Sequence, residues 1–370
     1  MILGVPKEVK DGECRVALTP GGAKALVRQK HAVLVQRGAG GLAGYPDAEY
    51  RSAGARVLPS ARAVWEKSGL VLKVKEPLPA EFQYLKPGKI LFCYLHLAAD
   101  RSLTMALVRS GIAAVAGETI RDSKDRLPLL EPMSELAGRM AAIVAAYYLS
   151  TPHSGRGVLV SGLPGVLPAH FVVIGGGTVG ENAAKIASGM GAQVTILDLS
   201  QERLRSLSEI LPGNVSTLAS TPSNIEEAVS TADAVIGAVL IPGAKAPKLI
   251  TRGLLKKFPR GSVLVDVCID QGGISETSRP TSHSHPTYSV DGVLHYCVPN
   301  MPGAYGRTAT NAYTHASLDY VSLIASRGLR GAFSKDAGLA QGLNVCGGRV
   351  TCPEAAGAHR LSAARWQDVL

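Results

Sequence analysis

The segment FVVIGGGTVGENAAK, residues 171–185, constrains this chain more than any other. An apolar strand-like run passes directly into Gly175, Gly177 and Gly180, spaced as GxGxxG, and then into a helical pattern. A second apolar run, QVTILD, follows at residues 193–198. Strand, glycine turn, helix and strand in this order form a βαβ unit. In such a unit the first glycine permits a tight turn, the second lets the backbone approach a pyrophosphate, and the third lets helix pack on strand. Unpaired N–H groups and the helix dipole then favour a phosphate. Asp198 closes the second strand, where a carboxylate accepts bonds from ribose hydroxyls and repels a 2′-phosphate. The expected cofactor is therefore NAD in preference to NADP. Arg203 and Arg205 would weaken that preference if either folded back towards the ribose.

The rest of the chain repeats the same alternation. ILGVP, AVLVQ, LVLKVK, KILFCYLHL and GIAAVAGE read as strands before residue 120, separated by helical stretches such as 20–29. ADAVIGAVL and GSVLVDVCID extend the series beyond QVTILD, with helices over 179–189, 200–211 and 308–327. Strands alternating with helices imply sheets covered on both faces, and 370 residues suit two such domains. The residues PLLEPMSELAGRMAAIVAAYYLS form a junction, with Ser134 as N-cap of a helix reaching Leu149. Its Ala-rich body is expected to be buried, within the subunit or against another. From Asn344 onward the chain reads as irregular.

Composition excludes several alternatives. Hydrophobic residues make up 46% and charged residues 18%, which is a packed protein and not a disordered one. Aromatics at 5% offer little for stacking bases, so no nucleic-acid role is expected despite a net charge of +10. Cys14, Cys93, Cys268, Cys297, Cys346 and Cys352 contain no CxxC pair, which fits neither a disulfide framework nor a zinc site and points to a reducing, cytoplasmic compartment. The N-terminus lacks a signal-peptide core, and glycine and proline interrupt every long apolar run, so no membrane association is expected. His283 and His285 read as a polar loop without a metal.

Ligands in open α/β sheets bind outside the carboxyl ends of the strands. Reading those ends gives Lys75 after LVLKV, His96 after KILFCYL and Asp270 after VLVDVCI, with Arg15 in the loop after the first strand. Lys73 is two residues before Lys75 and, on a continuous strand, shares its face. A cation, an imidazole and a carboxylate at such positions suit a dehydrogenase site. Each residue type also has an ordinary structural use, as a solvated charge, a turn residue or a helix-entry histidine.

These residues lie in strings that resemble the NAD-dependent alanine dehydrogenases, a family that also includes the N-terminal part of transhydrogenases. The strings are GVPKEVK, RVALTP, VKEPLP, YLHLA, PLLEPMSELAGRMAA, VIGGGTVGENAAK, AVLIPGAKAP, VDVCIDQGGISET and VPNMPGAYGRT, which cover the chain to about Val350. The segment LPGVLPAH and the end beyond Thr351 depart from the family pattern. The resemblance implies two Rossmann-like doubly wound α/β domains with a cleft between them. Residues 1–128 and 307–370 would form a discontinuous substrate domain, and 129–306 the NAD-binding domain. It implies that Arg15 and Lys75 bind the substrate, while His96 acts as general acid/base and Asp270 orients water or the substrate ammonium. Ser134, Gly175, Gly177, Thr178, Val179, Gly180, Asp198, Arg203, Ser220, Val239, Leu240, Ile269, Asp270, Val298, Asn300 and Met301 would line the dinucleotide. The implied reaction is reversible oxidative deamination of L-alanine to pyruvate and ammonium, and the implied assembly is a homohexamer. Rival expectations are a dinucleotide-binding transhydrogenase component, a dehydrogenase for another amino acid such as lysine, and a non-catalytic NAD-binding protein. The last should have lost one of Arg15, Lys75, His96 or Asp270, and all four are present.

Overall fold

Fifteen strands emerge in chain order in the computed structural model, which describes residues 1–239 and 246–370. The first six are β1 (Ile2–Val5), β2 (Ala32–Gln36), β3 (Arg56–Leu58), β4 (Leu70–Leu72), β5 (Ile90–Cys93) and β6 (Ala113–Ala116). Next come β7 (His170–Ile174), β8 (Gln193–Asp198), β9 (Val215–Ala219), β10 (Ala234–Gly237), β11 (Val263–Asp266), β12 (Thr287–Val290) and β13 (Val293–Tyr296). The last are β14 (Leu343–Cys346) and β15 (Arg349–Val350). The chain divides into two units, Met1–Met133 with Gly303–Leu370, and Ser134–Pro302.

In the first unit, parallel strands run in the order β3-β2-β1-β4-β5-β6, and β14 and β15 add an antiparallel edge beyond β6. The second unit repeats the winding as β9-β8-β7-β10-β11-β13, again parallel, with β12 antiparallel at the edge. Each sheet thus reverses direction once, beside β1 in the first unit and beside β7 in the second. Such a switch point opens a crevice at the carboxyl ends of the strands. The central strands are buried along their whole length, as in AVIG of β10 and VLVD of β11. Parallel sheets covered on both faces require this apolar continuity.

Helix boundaries follow local chemistry. Thr19 caps Pro20–Arg28 through the Gly22 N–H, and Ser200 caps Gln201–Ile210 through the Arg203 N–H. The junction helix spans Glu131–Tyr148, so Ser134 lies within its first turn and is not the N-cap expected from sequence. Ala141, Ala142, Ala145 and Leu149 join the core of the second unit, but Ile143 is 45% and Tyr147 58% exposed. The Ala-rich body is therefore buried on one face only. The late helix is expected over 308–327; the helical span Gly306–Lys335 is broken directly after that end, at Gly328, whose φ of 67° glycine tolerates without strain, and a short second helix follows.

The end of the chain is ordered, contrary to its irregular appearance in sequence. Beyond β14 and β15 stands a helix, Pro353–His359, which packs Ala355 and Ala356 against Leu97, Leu103 and Leu107. Its signal was missed because it is short and its apolar residues are mostly alanine. The apolar stretch that departs from the family pattern forms a loop in which Leu163 and Val166 are each 63% exposed and Leu167 is 86% exposed.

His295 on β13 is fully buried; its Nδ1–H donates to the Val293 carbonyl at 3.0 Å and its Nε2 meets Thr277 Oγ1 at 2.8 Å. Burial lowers its pKa below the ordinary histidine value. Its folded state therefore excludes a proton that the unfolded chain accepts. The resulting stability is fully present above about pH 6.5 and is lost as pH falls towards the lowered folded pKa, with a slope of at most about 1.4 kcal/mol per pH unit for one proton. Thermal unfolding followed from pH 7.5 to 5 should show a falling Tm, and the slope should flatten in His295→Gln. An unchanged slope in that variant would assign the effect elsewhere.

Candidate active site

Four carboxylates end strands at the crevice sides of the two sheets and carry the turns that follow. In the first unit β4 stops at Leu72, short of the strand expected through Lys75, because Glu8 Oε1 accepts the Val74 N–H at 2.6 Å. Lys73 is fully buried, with its Nζ at 3.0 Å from Glu8 Oε2 and 3.1 Å from Glu81 Oε1. Burial alone would discharge this ammonium; the two carboxylates instead raise its pKa above the usual lysine value. Lys75 is only half-buried. The two lysines do not share a strand face, and Lys73 serves the fold.

Arg15 is also buried, and Glu13 spans one side of its guanidinium, with Nε–H donating to Oε1 at 2.6 Å and Nη2 to Oε2. The same carboxylate accepts the Arg15 N–H at 2.9 Å, and Nη1 points to Met133 Sδ at 3.2 Å. Against the pull of burial, Glu13 raises the arginine's pKa, so the charge is held. Such a fork fixes the plane of the guanidinium before any ligand arrives. Glu13 was missed in the sequence, although an acid two residues before a candidate arginine is a readable signal.

His96 stands beyond β5, which ends at Cys93 and not within YLHL. Its backbone is left-handed (φ 49°, ψ 41°) and its side chain is 48% exposed. Glu118, after the neighbouring β6, accepts the N–H groups of Leu95 at 3.0 Å and His96 at 2.6 Å. The imidazole stacks on Tyr94 with centroids 6.2 Å apart, and Tyr94 donates its hydroxyl to the Leu129 carbonyl.

In the second unit β11 ends at Asp266, whose Oδ1 accepts from Cys268 N–H at 3.1 Å and whose Oδ2 accepts from Ile274 N–H at 2.9 Å and from the Ser278 hydroxyl. These bonds fold VCIDQ into a 3₁₀ turn instead of the strand expected through Asp270. Cys268 is thus a buried residue of a turn, not of a strand. Burial raises the Asp266 pKa even so. Asp270 on the same turn is exposed, with Oδ2 accepting the Asn300 N–H at 3.4 Å. Ile269 beside it is buried, as are Val298 and Met301 after β13.

The glycine turn after β7 has the geometry a dinucleotide needs. Gly175 has φ 104°, and a Cβ there would meet the Ala238 carbonyl at 2.5 Å. A Cβ on Gly180 would lie 1.8 Å from the Gly175 carbonyl, whereas one on Gly177 would meet nothing within 4 Å. The first and third glycines are therefore demanded by packing, and the second faces open space where a phosphate can approach. Thr178 and Val179 begin the helix Thr178–Gly189. Asp198 Oδ2 accepts the Gly176 N–H at 2.7 Å and Oδ1 the Ser200 N–H at 2.8 Å, while its carbonyl accepts the Ser220 N–H. Arg203 does fold back, onto the Gly176 carbonyl at 2.6 Å, but its charge is met by Glu181 Oε2 at 2.6 Å. Val239 follows β10, its N–H on Cys268 Sγ; Leu240 lies outside the described residues. These features fit a nicotinamide dinucleotide. Among the described residues no group of three or more His, Cys, Asp or Glu side chains could hold a metal ion, and no helix is long and apolar enough to cross a membrane.

Two doubly wound α/β units, one with a dinucleotide-type glycine turn and the other with cations and an imidazole at its strand ends, define a nicotinamide-cofactor oxidoreductase class. Residues 4–137 match the N-terminal domain, and residues 141–353 the C-terminal domain, of the alanine dehydrogenase/PNT family. The chain belongs to that family. It is 52% identical to alanine dehydrogenase of Halomonas elongata over 95% of each chain, and 51% identical to that of Bacillus subtilis over 95% of this chain and 93% of the other. A solved L-alanine dehydrogenase superposes with a TM-score of 0.94 at 48% identity, covering 97% of this chain and 99% of its own. A transhydrogenase from Sinorhizobium meliloti superposes at 0.81 with 25% identity, covering 95% of this chain and 99% of its own.

Lys73→Met should strand two buried carboxylates and destabilise the first unit by about 3–5 kcal/mol. Urea unfolding monitored by far-UV circular dichroism measures this. A loss below about 1 kcal/mol, the range of an exposed ion pair, would overturn the structural role given to Lys73.

Proposed function

We propose that this protein is an NAD-dependent L-alanine dehydrogenase, catalysing reversible oxidative deamination of L-alanine to pyruvate and ammonium. The observation that carries this reading is the position of Lys75, His96 and Asp270 just beyond the carboxyl ends of β4, β5 and β11, with Arg15 in the loop between β1 and the next helix, in a chain about half identical to alanine dehydrogenases over nearly its whole length.

The unit formed by the two ends of the chain is the substrate domain in this reading, and the inner unit binds the dinucleotide. Arg15, oriented by Glu13, binds the amino-acid carboxylate. Lys75 binds the same carboxylate or the carbonyl oxygen that develops at Cα. The exposed imidazole of His96 takes a proton from the substrate ammonium, releases it to solvent, and then takes the proton of the attacking water. Asp270, on its turn held by Asp266, orients that water at the iminium carbon. A bound nicotinamide supplies the hydride acceptor. His96 then protonates the carbinolamine nitrogen, the C–N bond breaks to release ammonia, and the hydroxyl proton passes back to His96 as the carbonyl of pyruvate forms; the ammonia takes up a proton as ammonium. Gly175, Gly177, Thr178, Val179 and Gly180 hold the pyrophosphate, Asp198 and Ser220 the adenosine side, and Ser134, Val239, Leu240, Ile269, Val298, Asn300 and Met301 the remainder.

Asp198 supports NAD over NADP, and Arg203 offers little to a 2′-phosphate while Glu181 neutralises it. The cysteines are free and five of them buried, which accords with a cytoplasmic location. The exposed Leu163, Val166 and Leu167 favour burial against another copy, in a homo-oligomer that resemblance puts at six subunits.

NADH production with L-alanine should exceed that with L-lysine, L-serine or glycine, and kcat/KM with NAD should exceed that with NADP by about 100-fold or more. Equal use of both cofactors would remove the role given to Asp198. His96→Ala and Asp270→Asn should each lower kcat by about 100-fold or more while NAD binding, read by fluorescence, survives. Near-normal turnover in both would refute the catalytic assignment.

A further inference from the structure

We propose that Glu118 and His359 are positioning residues that clamp the left-handed turn carrying His96, so that the C-terminal helix Pro353–His359 belongs to the catalytic apparatus. This rests on the catalytic reading of His96.

A residue with a Cβ adopts φ 49° only when its surroundings hold it there. Two groups do so from opposite sides. Glu118, brought beside β5 by the pairing of Cys93 with Ala116, accepts the N–H groups of Leu95 and His96 on its Oε1. The same oxygen lies 3.9 Å from His96 Nδ1, too far for a direct bond, so the carboxylate acts on the backbone. Just past His96, the Leu97 carbonyl accepts Nε2–H of His359 at 2.6 Å. His359 is buried, which fixes the tautomer with the proton on Nε2, since a carbonyl only accepts. Arg101 donates to the His359 carbonyl at 2.8 Å and Thr104 Oγ1 to the Leu97 carbonyl at 3.1 Å, tying the helix end and the turn into one network. Leu97 packs with Cys352, Ala355 and Ala356 in one core cluster. The exposed imidazole thus projects from a backbone gripped both before and after it, and its direction is set by groups that do not touch it.

A misplacement of about 1 Å in a reacting group can cost on the order of 100-fold in rate. Glu118→Ala should therefore lower kcat for L-alanine about 10- to 100-fold, and His359→Ala about 5- to 20-fold, with NAD affinity unchanged. Glu118→Gln and His359→Gln keep a carbonyl acceptor and an N–H donor respectively, and should recover most of the loss. The deciding measurement is a double-mutant cycle on kcat in the full-length enzyme. In a His96→Ala background, Glu118→Ala and His359→Ala should each change residual turnover less than about twofold, because the group they aim is gone. If the alanine variants do not fold, the cycle is read with Glu118→Gln, His359→Gln and Glu118→Asp, whose losses must again vanish without His96. Full additivity with His96→Ala, or wild-type kcat in both alanine variants, overturns the clamp. Near-normal turnover of His96→Ala alone overturns the catalytic reading beneath it.

Discussion

The structure depends on carboxylates that take over backbone N–H groups where parallel strands stop. A strand inside a parallel sheet keeps its ladder until something else satisfies the next donor, because an unmet buried N–H costs about 1–3 kcal/mol. Glu8 does this after β4, Glu118 after β5 and Asp266 after β11, while Asp198 takes the Gly176 N–H of the glycine turn after β7. A carboxylate has room for several donors, so one side chain can end a strand and shape the following turn. The turns made in this way carry Lys75, His96 and Asp270. Strand termination and site construction are thus one physical event in this fold.

That event explains what could be read from the sequence. QVTILD was legible to the residue, because alternating burial and an acidic end leave little choice of boundary. The glycine turn was equally legible, since two of its glycines are forced by contacts that any Cβ would violate. LVLKVK was read too long because apolar periodicity continues past Val74, whose N–H a distant carboxylate captures, and VLVDVCID because it continues past Asp266, which caps the Cys268 N–H two residues on. Glu8 and Val74 are far apart in sequence, and no local pattern announces their bond. The C-terminal helix was lost for a related reason. His359 acquires its meaning from the Leu97 carbonyl, 262 positions away along the chain.

The fold by itself does not select an activity. The Sinorhizobium meliloti transhydrogenase covers 95% of this chain at a TM-score of 0.81 with only 25% identity, so the same double winding serves proteins of different name. What the winding supplies is a switch point in each unit, where the strand order reverses and the carboxyl ends of that unit's strands leave a crevice. The function must be argued from the side chains at those ends. Here they comprise a guanidinium held flat, an exposed imidazole and an exposed carboxylate on a pinned turn.

Charged neighbours along the chain divide labour by burial. Lys73 is sealed between two acids, while Lys75 two residues later is partly open. Asp266 is buried and accepts from three groups of the loop that follows, and Asp270 in the same segment faces solvent. A buried charge without partners is expensive, so the buried member of each pair is saturated by its own fold and has no spare capacity for substrate. The exposed member keeps its hydration and can exchange water for a ligand at modest cost. Arg15 departs from this division, being buried and proposed to bind substrate. The departure suits its chemistry: a guanidinium keeps its charge in the interior, and its five N–H donors let it bond Glu13 and other acceptors at once. A lysine there would have a single ammonium to share between Glu13 and an incoming carboxylate, and burial would penalise its charge whenever either was absent.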